Sequence, residues 1–208
     1  RPALKQAADL FIPIACTGPE FGFKVQIGTG FPVGPHQVMT AGHVDCGQSN
    51  IMEILRNGLW EWIPAENQTV SPTEDIRLLT TTQTFKRFAH FRKAVLGEPA
   101  FGYGSAIQGT MAIGEVMKVE EAFILASNTP IGGMSGSALL GTDGRVIGMT
   151  VLARPVFVGG FPSAWVTEAI SASHLQAFLM GKSVPVPSSP HPGLGPAPSD
   201  NRSVPQLP

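Results

Sequence analysis

Apolar residues along the chain occur mostly in short runs that are separated by turn-forming glycine and proline. Runs of this kind, bounded by turns, are typical of β-strands. A first group of predicted strands extends from about residue 21 to residue 81, and a second group from about residue 103 to residue 161. Two groups of short strands with little helix predict two small β-barrels or β-sandwiches. The predicted strands are residues 24–27, 37–40, 51–55, 59–63, 76–79, 103–109, 111–119, 122–126, 136–140, 146–152 and 156–161.

Residues 163–180 have a different pattern, because their apolar side chains recur at a loosely helical spacing and Gly181 follows them as a natural stop. We therefore predict a helix over this segment. For residues 2–11 we predict either a short helix or an N-terminal arm that leads into the first strand. Together these segments divide the chain into an N-terminal arm (1–20), an N-terminal β-unit (21–95), a C-terminal β-unit with its helix (96–182) and a tail (183–208).

The tail is set apart by its composition, since it contains eight of the 19 prolines in the chain. Such a segment cannot bury a core and favours extended polyproline conformations. Charged residues make up only 14% of the chain and the formal net charge is −1, so there is no global field that would attract nucleic acid or an acidic membrane. Two uncharged stretches, 25–44 and 122–142, are long enough for a membrane helix. Polar residues interrupt both, so buried strands are predicted there and no membrane span.

The chain has two cysteines, Cys16 and Cys46, which are too few for a disulfide scaffold or a four-ligand zinc site. No metal and no cofactor is predicted. A bridge between the two cysteines would close a loop of about 30 residues and would contribute roughly 3–4 kcal/mol of stability. The alternative, which we favour, is a pair of free buried thiols.

The strongest local signal for chemistry is the segment Gly132-Gly133-Met134-Ser135-Gly136-Ser137. A serine flanked by glycines at a strand-to-turn junction has an exposed hydroxyl. Gly133 lets the backbone bend so that the N–H groups of residues 133 and 135 can point at one place. Two convergent N–H donors form an oxyanion hole. The plainer interpretation is a glycine-rich turn that contains a serine.

A serine nucleophile needs a base, and that base needs an acid to orient it. Among the five histidines, His43 follows an apolar strand within an uncharged stretch, where an imidazole is partly buried and near neutral. A core histidine with a purely structural place is the alternative. Among the aspartates, Asp75 enters an apolar strand and is the one placed to be buried. Glu74 is the fallback acid, and a solvated loop acid is the plainer interpretation of Asp75.

In combination, these residues resemble the trypsin-like serine proteases, and in particular the HtrA, glutamyl-endopeptidase and viral branches. The resemblance rests on Ile27-Gly-Thr-Gly-Phe31, Val38-Met-Thr-Ala-Gly-His-Val44, Asp75-Ile-Arg-Leu-Leu79 and the stretch 123–149 around the serine. It implies an all-β fold of two six-stranded antiparallel barrels, chymotrypsin-like, with a C-terminal helix and the catalytic residues in the cleft between the barrels. It also implies that Ser135 is the nucleophile, His43 the base and Asp75 the orienting acid, with oxyanion donors from the N–H groups of Gly133 and Ser135.

The resemblance further implies which segments line the pocket for the substrate side chain. None of their residues is acidic, which argues against cleavage after Arg or Lys, because a buried guanidinium needs a partner charge. None is histidine, which weakens a preference for Glu or Gln. We therefore expect a small or medium apolar side chain. The implied pocket residues are Thr129, Pro130, Ile131, Thr150, Val151, Leu152 and Ala153, with Asn128 beside them.

The segment 85–93 interleaves phenylalanines with cations. Either it is a connector between the barrels whose charges are solvated, or it makes a weak RNA contact. We predict a serine endopeptidase acting on polypeptides, derived from a polyprotein, viral in origin, and able to cleave its own flanking segments. The alternatives are a secreted bacterial protease and a catalytically silent binding module. Localisation follows the source: inside a host cell for a viral protein, or outside the cell for a secreted one.

Overall fold

The computed structural model describes residues 10–16, 25–45, 50–56, 59–71, 73–104, 110–158 and 161–181. The predicted arm before residue 10 and the tail after residue 181 lie outside these residues. Most of the described residues belong to strands. The elements are β1 (Ile12–Cys16), β2 (Val25–Gly34), β3 (Gln37–Thr40), β4 (Asn50–Arg56), β5 (Leu59–Pro64), β6 (Asn67–Val70), β7 (Arg77–Thr80), β8 (Pro99–Gly104), β9 (Thr110–Val119), β10 (Phe123–Ala126), β11 (Ala138–Leu140), β12 (Val146–Val158), β13 (Phe161–Ser171) and α1 (Ala172–Leu179).

Strands β1–β7 form one antiparallel sheet in the order β5-β4-β1-β2-β3-β7-β6. The prediction placed residues 12–16 in an arm, but β1 lies inside this sheet and pairs with both β2 and β4. All five residues of β1 are buried. A strand buried on both faces has no apolar and polar alternation, which is why the pattern did not reveal it. The short strand β6 was missed as well; its described side chains are exposed.

Strands β8–β13 form a closed barrel in the order β10-β13-β12-β11-β8-β9. The six-stranded barrel expected for the C-terminal half is therefore confirmed, and the all-β fold class is confirmed for the chain. The N-terminal half differs from the expected six strands, because its sheet contains seven within the described residues.

The helix predicted over 163–180 is wrong for its first half. Residues 161–171 form β13, which pairs with β12 along nearly its whole length, from Gly148↔Ser171 to Val158↔Phe161. Three β-branched residues, at 166, 167 and 170, favour the strand, where side chains on both faces are buried. The helix α1 begins only at Ala172, and the hydroxyl of Ser171 caps it by accepting the N–H of His174.

The two halves share one hydrophobic core. Ile14, Phe31 and Met39 from the N-terminal sheet belong to the same buried cluster as Met149 and Leu175 from the C-terminal half. A second, smaller cluster fills the C-terminal barrel. The interface between the two halves is therefore a packed hydrophobic core, and the loops along it rest on buried side chains from both halves. Within the described part of the chain, no helix is long and apolar enough to cross a membrane.

Cys16 forms a disulfide, so the free thiols that we favoured are wrong. The other cysteine of the chain, Cys46, lies outside the described residues. Because Cys16 is the last residue of the buried strand β1, the covalent bond begins in the middle of the N-terminal sheet.

Candidate active site

His43 and Asp75 lie together at the ends of two paired strands. His43 follows β3 and Asp75 precedes β7, and β3 pairs with β7 in the sheet. The carboxylate of Asp75 holds the histidine twice: Oδ2 lies 2.6 Å from Nδ1 of the ring, and Oδ1 accepts the backbone N–H of His43 at 2.7 Å. The bond from the backbone N–H holds the carboxylate in one orientation. Because the carboxylate is fixed, its bond to Nδ1 in turn orients the imidazole ring. The side chain of His43 is 49% exposed, and Nδ1 is the ring nitrogen that Asp75 occupies, which leaves Nε2 for a partner or a substrate.

The two groups shift each other's titration in opposite directions. The hydrogen bond that the His43 ring donates to Asp75 raises the pKa of His43 above its ordinary value of 6.5, against partial burial, which lowers that pKa. Burial works to raise the pKa of Asp75, but the hydrogen bonds from the ring and the backbone of His43 outweigh it and lower the pKa. Asp75 is thus ionised at neutral pH, and the imidazole that it orients is more basic than a free one.

Arg77 binds the main chain next to His43. This side chain is only 4% exposed, and its Nε and Nη2 atoms donate to the carbonyl of Gly42 at 3.2 and 3.0 Å. Its Nη2 also pairs with Asp45 at 2.8 Å, and its Nη1 donates to Gln68. One guanidinium therefore holds the residues on both sides of His43, using the fork geometry that a lysine lacks.

Ser135 lies in the second of two consecutive tight turns. The N–H of Met134 donates to the carbonyl of Ile131, and the N–H of Ser137 donates to the carbonyl of Met134. The third residue of each turn is a glycine with positive φ: Gly133 at 78° and Gly136 at 81°. This is the signature of a type II turn, and side chains with a Cβ avoid it. The two glycines therefore determine the backbone path around the serine.

This turn is fixed to both halves of the molecule. From β2, Thr29 donates its N–H to the carbonyl of Ser135 at 2.8 Å and its hydroxyl to the carbonyl of Gly133 at 2.6 Å. From β12, Thr150 accepts the N–H of Gly136 at 2.7 Å. A Cβ placed on Gly28 would lie 2.6 Å from Val44, the neighbour of His43, and 2.9 Å from the carbonyl oxygen of Ser135. The histidine loop and the serine turn therefore converge on β2.

The N–H groups of Gly133 and Ser135 have no hydrogen-bond acceptor among the described residues. The neighbouring N–H groups of Met134, Gly136 and Ser137 are all bonded within the turns or to β12. Two unpaired donors two residues apart, in a backbone fixed on both sides, are the arrangement that can bind a carbonyl oxygen as negative charge develops on it.

The segments expected to line the substrate pocket flank this turn. Thr150 is buried and bonds the turn through its backbone, whereas Thr129 and Leu152 are exposed. Asn128 is fully buried, and its Nδ2 donates to the carbonyls of Ala100 and Ala112 at 3.0 Å each. Asn128 thus fixes the start of the segment to β8 and β9. The pocket itself stays a prediction.

The segment 85–93 packs Phe85 and Phe91 against the shared core, which favours the connector interpretation. Arg92 is bound by Glu98 and Asp143, which lie in the C-terminal half. These partners raise the pKa of Arg92, and its charge is satisfied inside the protein. Contact with RNA through this segment stays a prediction.

Sequence reasoning missed several residues that build the site. Thr29 and Arg77 lie within the quoted motifs, but nothing in those motifs assigns them a role, since their roles depend on contacts with residues 104 and 35 positions away. Glu74, the fallback acid, binds a different histidine, His174, at 2.7 Å. Among the described residues, no three His, Cys, Asp or Glu side chains are grouped as metal ligands would be.

Comparison with known proteins adds two kinds of finding. The family model of the trypsin-like peptidase domain matches residues 28–149, which is more than half of the chain. No curated protein gives a significant match. Among solved structures, the chain is similar to the active form of the Rv3671c protease from M. tuberculosis, with 19% identity, a TM-score of 0.69 and coverage of 89% of this chain and 86% of that one. It is also similar to the serine endoprotease from Yersinia pestis, with 16% identity, a TM-score of 0.71 and coverage of 86% of this chain and 64% of that one. At such identities the likeness shows the fold alone.

Proposed function

Since the chain belongs to the trypsin-like peptidase family and has a chymotrypsin-like fold, we propose that it cleaves polypeptides with Ser135 as nucleophile, His43 as base and Asp75 as orienting acid. The observation that carries the proposal is the bond of 2.6 Å between Nδ1 of His43 and Oδ2 of Asp75. It places a proton on Nδ1, which leaves the lone pair of Nε2 to accept the proton of a serine.

The proposed reaction proceeds in two halves. Oγ of Ser135 attacks the carbonyl carbon of the scissile peptide while its proton moves to Nε2 of His43. The oxyanion that forms accepts hydrogen bonds from the N–H groups of Gly133 and Ser135. The C–N bond then breaks, and His43 gives its proton to the leaving amine. A water, deprotonated by the same imidazole, then attacks the acyl carbon. The ester bond to Ser135 breaks, His43 returns the proton to Oγ, and the second product leaves.

Asp75 serves both halves of the reaction without changing its own protonation. Each half transiently forms an imidazolium, and the ionised carboxylate stabilises that charge. The lowered pKa of Asp75 keeps it ionised over the pH range in which His43 is neutral. Its second bond, to the backbone of His43, keeps the ring from turning away when the imidazolium forms.

We further propose that the residue before the scissile bond is small or medium and apolar. The described residues at 129–131 and 150–153 include no charged side chain. The acid that lies opposite Leu152 in the β-ladder, Glu168, is already paired with Arg154. A basic substrate side chain would therefore find no unpaired carboxylate there. Cleavage of a peptide library would test this, and a dominant preference for Arg or Lys would contradict it.

The nucleophile is tested with a fluorophosphonate probe. The probe is expected to label the native chain at Ser135, and Ser135→Ala is expected to abolish labelling and to lower kcat at least about 10⁴-fold. Ser137→Ala is the matched control, because it removes a buried hydroxyl from the same segment and should leave labelling intact. A native chain that is neither labelled nor able to hydrolyse peptides would instead be the catalytically silent binding module.

Polyprotein processing is a finer proposal, which rests on the proline-rich tail of the sequence. The test offers the full-length Ser135→Ala chain to the active chain as a substrate. Cleavage between residues 182 and 208, detected by mass spectrometry, supports self-processing. An intact tail after complete turnover of a peptide substrate would contradict it.

A further inference from the structure

A second histidine–carboxylate pair lies beside the first and joins the two halves of the molecule. Nδ1 of His174, on α1, lies 2.7 Å from Oε1 of Glu74, in the turn before β7. The side chains of His174 and Glu74 are only 2% and 11% exposed. A polar pair so well shielded from water needs its partner, since loss of either group leaves the other buried and unsatisfied.

The geometry of His174 shows which tautomer this pair uses. Nε2 of the ring is buried and has no hydrogen-bond partner among the described residues. A proton on Nδ1 satisfies the carboxylate of Glu74 and leaves only a lone pair unpaired on Nε2. That lone pair meets no donor among the described residues and is shielded from substrate, so this imidazole is held as a structural donor through Nδ1.

Glu74 is the residue immediately before Asp75, and hydrogen bonds among residues 71–76 close the turn that contains both. The N–H of Glu74 donates to the hydroxyl of Ser71 at 3.1 Å, and the carbonyl of Glu74 accepts the N–H of Ile76 at 2.8 Å. The N–H of Ser71 donates to the carbonyl of Ile76 at 2.9 Å. The turn is therefore one hydrogen-bonded unit, and the side chain of Glu74 ties that unit to α1.

The position of this unit matters because Asp75 must satisfy two donors of His43 at once. A small rotation of the turn would lengthen at least one of the two bonds. We propose that Glu74 and His174 are positioning residues for Asp75: their hydrogen bond fixes the 73–75 turn to α1 and so holds the Asp75 carboxylate in the orientation that binds His43. The inference rests on the proposed function, since it assigns Asp75 as the orienting acid.

The test compares two substitutions of the same histidine. His174→Leu keeps the apolar volume but removes the donor. His174→Asn keeps a donor close to the position of Nδ1 and should restore the bond to Glu74. We expect His174→Leu to lower kcat by about 10- to 100-fold, the cost of a misplaced catalytic group, with KM within about twofold of the native value. His174→Asn should recover most of the loss.

The pH profile of kcat/KM separates positioning from a purely structural role. Asp75 raises the pKa of His43, so a loosened Asp75 lowers that pKa and moves the acid limb of the profile to lower pH. His174→Leu should show this shift, and His174→Asn should not. The matched control is Leu175→Ala, which removes a fully buried neighbour on the same helix. It should lower the melting temperature without moving the limb.

Failure of this inference is distinguishable from failure of the proposed function. If the probe labels the native chain at Ser135 while His174→Leu has a native kcat and acid limb in its folded fraction, the positioning role is wrong and the proposed function stands. If the native chain is never acylated, the proposed function is wrong. The NMR signal of the Nδ1 proton of His43 then still reports the geometry. Loss of that signal in His174→Leu and its recovery in His174→Asn support the inference, and an unchanged signal in both overturns it.

Discussion

Two consecutive carboxylates, Glu74 and Asp75, each bind the Nδ1 atom of a histidine, at 2.7 and 2.6 Å. The pairs share their chemistry and differ in burial. The ring of His43 is about half exposed, whereas that of His174 is almost completely buried. An imidazole oriented by an acid becomes a base only if its other nitrogen can reach a reacting atom. Exposure thus distinguishes a pair that can move protons from one that can only hold a position.

The same comparison explains why neither acid can replace the other. The Asp75 carboxylate also accepts the backbone N–H of His43, whereas the bond of Glu74 is to His174 and, in the part of the chain that the structure describes, none joins it to His43. If Glu74 and Asp75 were exchanged, the longer glutamate side chain would face the exposed His43 and the shorter aspartate side chain would face the buried His174. Substitutions that neutralise one acid while keeping its shape should therefore have unequal effects: a large one at Asp75 and a small one at Glu74.

The largest effect is expected from Asp75→Asn, which breaks the exposed pair. An amide cannot stabilise the imidazolium and favours the wrong tautomer of His43, so kcat should fall by about 10⁴-fold. In the native enzyme, activity should be lost as the pH falls through the pKa of His43. That pKa is raised from its ordinary value of 6.5, so the loss should begin at a higher pH than for a free imidazole. In Asp75→Asn that acid limb should move to lower pH, because the group that raised the pKa is gone. Steady-state kinetics from pH 5 to 9 measure both.

Glu74→Gln is the matched comparison for Asp75→Asn, since it makes the same change from carboxylate to amide one residue earlier. It should cost no more than about 10-fold in kcat, because the amide oxygen still accepts the hydrogen bond of His174. A loss as large as that of Asp75→Asn would show that the acid has been assigned to the wrong residue.

An effect between those of Asp75→Asn and Glu74→Gln is expected from Arg77→Met, which removes the hydrogen bonds that hold the main chain on either side of His43. The carbonyl of Gly42 and the carboxylate of Asp45 lose a shared partner. The loop that carries His43 should then sample other positions, and kcat should fall by about 10- to 100-fold. The kcat of Arg77→Lys should lie between those of the native chain and Arg77→Met, because lysine keeps the positive charge but lacks the forked guanidinium. Unchanged kcat in Arg77→Met, with only a lower melting temperature, would limit Arg77 to a structural role.

The C-terminal barrel and the pairing of His43 with Asp75 could be expected from the sequence, because the motifs around these residues resemble those of the trypsin-like serine proteases. His43 comes three residues after the end of β3 and Asp75 comes just before β7, so the pairing of these two strands brings both side chains to one end of the ladder. The glycines at 133 and 136 predict the sharp turns that the structure shows. In these cases local backbone chemistry carries the information.

The features that could not be predicted depend on contacts that are distant in the sequence. Strand β1 looks like an arm because its place between β2 and β4 depends on pairings with residues farther along the chain. The first half of the predicted helix over 163–180 is part of β13. Its long pairing with β12 outweighs the loosely helical spacing of its apolar residues. The partner of His174 lies 100 residues away. No periodicity encodes such a contact.

The smallest effect on activity is expected from Arg92→Met, which breaks a third set of carboxylate contacts away from the 73–75 turn. Arg92 binds both oxygens of Glu98, at 2.8 and 2.6 Å, and one oxygen of Asp143 at 2.9 Å. Loss of this bidentate contact should lower the free energy of unfolding by about 2 kcal/mol, most of it from Glu98, since Asp143 is largely exposed. The value of kcat should be unchanged.

The pH dependence of that loss has a defined sign. Burial works to raise the pKa of Glu98, but the hydrogen bond from Arg92 outweighs it, so the pKa is lowered from its ordinary value of 4.5. The stabilisation is then present above pH 4.5 and disappears as pH falls through the lowered pKa. Urea unfolding should therefore show a gap between native and Arg92→Met chains at pH 7 that narrows toward pH 3, whereas the exposed neighbour in Lys93→Met should show little gap at either pH. A fall in kcat for Arg92→Met would mean that support of the site extends beyond the two histidine pairs.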